Sequence, residues 1–173
     1  MKPVTLTMQA FGSYLKRTEL DFRLLGDNPI FLITGATGGG KTTILDAMCF
    51  ALYCKATGGR RSWDSMRCAA APQGAETMVD FVFQLSGETY RFTRAQSQYK
   101  ARGTGVLKTK ETHACYRMEN GEWSLLLAGA ESRVREKAEE ILGLTCEQFS
   151  QVIVLPQGDF LKLLLSSSRE KAQ

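Results

Sequence analysis

A single histidine, His113, occurs in the 173 residues, in a polar stretch with no ligand-like neighbour, which argues against a metal centre built on imidazole. The five cysteines (Cys49, Cys54, Cys68, Cys115 and Cys146) are scattered, odd in number and free of any C-x-x-C pair. That spacing suits neither a zinc ribbon nor a disulfide framework, so free thiols in a reducing compartment are expected. No run approaches the ~20 apolar residues of a membrane span. The opening "MKPVTLTMQAF" alternates too regularly and is too polar for a secretory leader, so the expected setting is the cytoplasm, away from membranes. Internal repeats and low-complexity tracts are missing too. What remains is an ordinary folded-domain composition, 43% hydrophobic and 23% charged, with a net charge of +4. The surplus permits an anionic partner but does not select one.

Periodicity divides the chain. Residues 3–9 alternate, with Val4, Leu6 and Met8 on one side, and "RTELDFR" repeats the pattern with Leu20 and Phe22. Two such arms around "AFGSYLK" predict a first hairpin. Ile30–Ile33 is a continuous apolar run, which predicts a strand buried on both faces. The period then changes: Ile44, Leu45, Met48, Ala51 and Leu52 recur at helical spacing and stop before Gly58-Gly59, an amphipathic helix. Residues 58–76 show no sustained period and predict a long loop with at most a short helix.

Further on, Val79, Phe81 and Phe83 alternate up to Ser86-Gly87, and Tyr90 and Phe92 follow, giving a second hairpin. "QSQYKARGTGVLKTKETH" is polar, basic and glycine-broken, and predicts a mobile excursion over 96–112. Asn120-Gly121 between alternating arms predicts a third hairpin. "ESRVREKAEEILGL" predicts a helix with Val134, Ala138, Ile141 and Leu142 on its inner side. Thr145 and Gln148 have the spacing of a capping box. "SQVIVLPQGDF" predicts a strand closed by Pro156.

Between the apolar run and the first helix lies "TGATGGGKTT", with four glycines in ten residues. A flexible linker would sit in polar, unstructured surroundings, and this stretch does not. Gly35, Gly40, Lys41 and Thr42 fit G-x-x-x-x-G-K-[ST], a P-loop. Its backbone N–H groups must approach a pyrophosphate closely, which Cβ atoms would obstruct, and the following helix aims its positive end at the same anion. The binding set is Gly35, Ala36, Thr37, Gly38, Gly39, Gly40, Lys41, Thr42 and Thr43, with ATP as ligand and Mg²⁺ as counter-ion. Lys41 would meet the β- and γ-phosphates, Thr42 the metal and Thr43 the α-phosphate. A P-loop alone leaves kinases, GTPases, transporters and repair ATPases open.

"MQAFGSY", "LDF", "ITGATGGGKTTILDAMCFALY", "ETYRFTRAQ" and "VIVLPQGDFLKLL", in this order, resemble the N-terminal ATPase segment of the SbcC family, the SMC-like ABC ATPases of the SbcCD nuclease complex. The anchors run from residue 4 to about 171, nearly the whole chain. The resemblance implies a mixed α/β P-loop NTPase fold: the N-terminal lobe of an ABC-type head, with an antiparallel β subdomain over about 77–127. It implies a Q-loop near 155–160, with Gln157 sensing the γ-phosphate through Mg²⁺ and the attacking water, and a coiled coil beginning near 166–173. It also implies a DNA-repair ATPase whose partners are its own C-terminal ATPase segment, a second head, an SbcD-like nuclease subunit and double-stranded DNA.

Relatives often carry asparagine and serine where this loop has Thr37 and Gly39, and an arginine where it has Gly12. Tyr14, Lys16 and Arg17 are then candidates for lining the nucleotide. The chain carries no LSGG-type signature and no Walker B run; "QLSGET" falls at a hairpin turn with no helix after it. The family places those elements in a later segment, so this chain reads as half a head, unable to hydrolyse ATP efficiently alone. Other P-loop classes compete: a stand-alone nucleotide kinase would need an acceptor site and an arginine-bearing lid, and a transporter lobe an early base-stacking aromatic. Arg91, Arg94, Lys100, Arg102, Lys108 and Lys110 are the candidate DNA contacts, with Arg60, Arg61 and Arg67 as a weaker set; solvated loops would look the same.

Overall fold

The computed structural model describes residues 1–26, 32–57, 62–100 and 107–152. Six strands are present among them: β1 (Lys2–Gln9), β2 (Thr18–Asp21), β3 (Thr77–Leu85), β4 (Glu88–Lys100), β5 (Leu107–Glu119) and β6 (Glu122–Ala128). The helices are α1 (Lys41–Tyr53), α2 (Trp63–Met66), α3 (Glu131–Leu142) and α4 (Cys146–Val152). All six strands join one antiparallel sheet in the order β2-β1-β3-β4-β5-β6.

Turn chemistry sets the registers. Ser86 and Gly87 both take positive φ (51° and 87°), as do Asn120 and Gly121 (52° and 84°). Two successive left-handed residues twist a two-residue loop in the sense that adjacent antiparallel strands require. Both hairpins close where the sequence predicts, with Leu85 opposite Glu88 and Glu119 opposite Glu122.

One sheet face carries the core. Leu6, Met8, Phe81, Phe83 and Phe92 are fully buried there, with the Phe83 ring 5.3 Å from Phe81 and 6.1 Å from Phe92. Helices α1 and α3 lie on that face, and Val134 and Ala138 of α3 point into it. The capping box forms: Thr145 N–H donates to Gln148 Oε1 (2.9 Å) and Gln148 N–H to Thr145 Oγ1 (3.3 Å), starting α4. All five cysteines are free thiols. Burial pushes the Cys54 thiol up to about 12, far from nucleophile range.

Four expectations are corrected. The 96–112 stretch is no loose excursion where it is described, because Gln96–Lys100 pairs in register with Leu107–Glu111 and Thr112 lies opposite Ala95, extending the β4–β5 ribbon. Polar side chains do not prevent pairing, since the ladder uses backbone groups alone. Helix α1 is buried nearly all round, Asp46 to Tyr53 without interruption, instead of along one stripe. The sheet, α2, α3 and α4 surround it, with the Phe50 ring 4.7 Å from Trp63 and the Tyr53 ring 5.4 Å from Phe149. Leu32 and Ile33 are not strand and lie 85% and 37% exposed, because no described strand runs beside them. Ser150–Val152 belong to α4 and not to a strand, and the remainder of that run lies outside the described residues.

Candidate functional site

The P-loop occupies the surface between the exposed segment 32–39 and the first turn of α1. Its glycines are there for backbone reasons. Gly38 and Gly40 hold φ of 81° and 84°, and Gly40 is the left-handed N-cap of α1. A Cβ on Gly40 would meet the Tyr14 ring at 3.0–3.2 Å, and one on Gly39 would meet the Ala36 carbonyl at 3.0 Å. The loop is turned by Gly39 N–H donating to Ala36 O (3.1 Å), and the helix opens with Ile44 N–H on Gly40 O (3.3 Å). Lys41 Nζ donates to Gly35 O (3.0 Å) and Ala36 O (2.8 Å), closing the loop on itself. Thr42 is exposed beside it. The first three N–H groups of the helix, those of Lys41, Thr42 and Thr43, are aimed outward by helix geometry. Among the described residues this corner supplies backbone donors, the Lys41 ammonium and no carboxylate, a set whose chemistry suits an anion.

The first hairpin's loop braces this turn. Phe11 and Tyr14 exchange backbone bonds (2.9 and 2.8 Å), and Tyr14 Oη donates to Gly40 O at 3.4 Å. Gly12, at φ 53°, sits so close that a Cβ would collide with Thr43 Cγ2, so a larger residue would take a strained backbone angle and have to displace the Thr43 side chain. Tyr14 thus packs against the loop itself, whereas Lys16 and Arg17 are exposed. Asp46, buried within α1, accepts from Thr57 N–H at 3.0 Å and from the Thr57 hydroxyl, tying the segment after the helix back to it. No group of His, Cys, Asp and Glu among the described residues could hold a metal. Gln157 lies outside the described residues.

The five described members of the six basic residues do not form one surface. Cross-strand pairs Tyr99–Lys108 and Ser97–Lys110 place Lys108 and Lys110 on the sheet face away from the helices, the face that Arg91 also shares. Arg91 is already engaged: Nε donates to Asp80 Oδ2 at 2.8 Å, and its guanidinium lies over Tyr116 (5.7 Å) and Trp123 (5.8 Å). The hydrogen bonds it donates to Asp80 hold its pKa above the usual arginine value. Lys100 is exposed but shares the opposite face, and Arg102, Arg60 and Arg61 lie outside the described residues. Arg67 is occupied by Ala75 O (2.7 Å), Pro72 O (2.7 Å) and Thr77 Oγ1 (2.9 Å).

Arg94 must be withdrawn as a DNA contact. It is completely buried on the helix-covered face, donating to Ala51 O (2.8 Å) and Leu52 O (2.7 Å) of α1, with its third nitrogen 3.1 Å from His113 Nδ1. Strand parity carried the signal: Tyr90, Phe92 and Arg94 alternate on one side, and two of them are aromatic. Arginine only donates, so His113 Nδ1 accepts and its proton sits on Nε2, 3.2 Å from Glu111 Oε2. Burial first, and Arg94 second, hold His113 below its ordinary pKa, which keeps the ring neutral.

Residues 5–173 match the model of the AAA domain family. The chain belongs to that family. Among curated relatives of this AAA domain, the SbcC component of the SbcCD nuclease of Vibrio cholerae is 44% identical over the whole chain, and that of Staphylococcus aureus strain MRSA252 is 38% identical over 99% of it. The chain spans 17% of the length of each. An SMC head domain from Thermotoga maritima overlays with a TM-score of 0.45 at 19% identity, covering 79% of this chain and 42% of that one.

Proposed function

We propose that the chain is the ATP-binding N-terminal head segment of an SbcC-type DNA-repair ATPase. The observation that carries this is the glycine-only turn at Gly38–Gly40, with Tyr14 against Gly40 and Gly12 against Thr43, at the start of a buried helix. The SbcC name of relatives aligned over the full chain adds the biological setting. Backbone N–H groups of 38–43 and Lys41 would hold the phosphates, and Lys41 would leave its loop carbonyls to do so. Thr42 would bind Mg²⁺, with Gln157 supplied from the Q-loop. The metal would neutralise phosphate charge during transfer to water.

In the whole protein, ATP would bring two heads together on double-stranded DNA and so gate an SbcD-like nuclease subunit. Hydrolysis would need the C-terminal ATPase segment. The exposed lysines Lys108 and Lys110, on one sheet face, would supply sequence-independent phosphate contacts, with Arg91 of the same face adding little beyond its pair with Asp80. No observation favours a kinase or a transporter lobe.

Calorimetry of Mg-ATP binding tests the reading. Lys41→Ala should lower affinity at least tenfold with an unchanged circular dichroism spectrum, and equal affinities would refute it. Phosphate transfer to an added nucleoside would instead point to a kinase.

A further inference from the structure

The far end of the P-loop helix is built unlike its start, and its role rests on the nucleotide and DNA function proposed for this chain. Helix ends normally leave their last carbonyls to water or to a glycine-based cap, as α3 does at Gly143. Helix α1 ends differently. Phe50 O takes the N–H of Cys54 at 2.8 Å, but Ala51 O and Leu52 O are both taken by the guanidinium of Arg94, a residue of the sheet. The cation also sits against the negative end of the helix dipole, with Cys54 and Glu131 nearby.

The grip continues outward along the ribbon. Arg94 meets His113, His113 meets Glu111, and Glu111 Oε1 accepts from Gln96 Nε2 at 3.2 Å. Gln96 and Glu111 are register partners, and the ladder continues outward through Ser97–Lys110, Gln98–Thr109 and Tyr99–Lys108. A rod of 13 residues, roughly 20 Å long, thus has the P-loop at one end and this chain of bonds at the other. The forked donor fixes two successive carbonyls in a buried site, so a shift of α1 by about 1 Å would strain several directional bonds together. The base of the ribbon must follow or the bonds must break.

We propose that Arg94 is a positioning residue that transmits displacement of the P-loop helix to the β4–β5 ribbon, so that nucleotide occupancy changes how the ribbon's lysines meet DNA. The role is mechanical: Arg94 touches neither ligand.

The test uses the full-length protein and a fluorescent DNA duplex, with affinity measured with and without a non-hydrolysable ATP analogue. In wild type the analogue should tighten DNA binding by some factor, and linkage requires DNA to tighten nucleotide binding by the same factor; no tightening at all overturns the proposal. Arg94→Met, and Arg94→Lys as the variant that keeps a charge but cannot reach both carbonyls, should cut that factor at least threefold. Their DNA affinity without nucleotide should stay within twofold of wild type. A variant in which both affinities fall and their ratio holds would make Arg94 a structural residue only and overturn the proposal. Hydrogen exchange on wild type needs no variant to fold: adding the analogue alone should change exchange of the Gln96–Lys100 and Leu107–His113 amides at least threefold. Wild type that binds nucleotide with unchanged ribbon exchange overturns this inference alone. Wild type that binds none overturns the proposed function, and this inference with it.

Discussion

Two stretches with similar apolar runs end in opposite environments. In β3 and β4, Phe81, Phe83 and Phe92 are wholly buried, whereas in the approach to the P-loop Leu32 is 85% exposed. The hairpin strands bring their own partners, because a two-residue turn places Phe92 opposite Phe81. The approach segment has no partner strand among the described residues, and a strand meant for burial on both faces needs a neighbour on each edge. Hydrophobic pattern marks what a segment can bury. Topology decides whether anything arrives to bury it.

The largest effect should come from breaking the self-sufficient side. Phe81→Ala removes a fully buried ring from the sheet's core face and should cost about 3–5 kcal/mol of stability, read from urea unfolding. A cost below about 1 kcal/mol would mean that the sheet is not the stable half of the comparison.

On the P-loop side the expected damage is to binding more than to folding. Gly40→Ala forces a side chain into a left-handed N-cap against the Tyr14 ring and should cost about 1–2 kcal/mol. Nucleotide affinity should fall several-fold more than that stability loss suggests, since the turn itself moves; calorimetry beside thermal melts separates the two.

His113 sharpens the comparison through pH. Its folded pKa lies below the unfolded value of about 6.5, so the unfolded chain binds more protons in the window beneath it. Stability is therefore complete above about pH 6.5 and declines as pH falls toward the folded pKa. Arg94, Glu111 and Glu131 are the charges that face the ring; Arg94 opposes protonation and the two glutamates favour it. Wild type should lose more stability than His113→Asn between pH 7 and pH 5, and parallel curves would place the ring's proton elsewhere.

The smallest effect belongs to the exposed approach. Leu32→Ala should change the stability of the 173-residue chain by no more than about 0.5 kcal/mol. In the full-length protein the same change should cost roughly 2 kcal/mol or more if a later segment covers the run. Equal small costs in both would remove the idea that this segment waits for a partner.

The readable parts were those governed by short-range rules. Ser86-Gly87 and Asn120-Gly121 can twist a turn only one way, Thr145 and Gln148 cap one helix end, and Gly38 and Gly40 take backbone angles that favour glycine. Sequence alone thus determined the three hairpins, the starts of α1, α3 and α4, and the glycine turn that leads into α1. Parity along β4 also placed Arg94 beside Phe92, yet a basic residue within a basic run suggested solvent. Only the tertiary structure decided otherwise, by bringing the carbonyls of Ala51 and Leu52, 43 and 42 residues away, to within hydrogen-bond reach of the guanidinium. Backbone conformation answers to neighbours a few residues off, while the cost of burying a charge depends on which donors and acceptors the rest of the chain delivers.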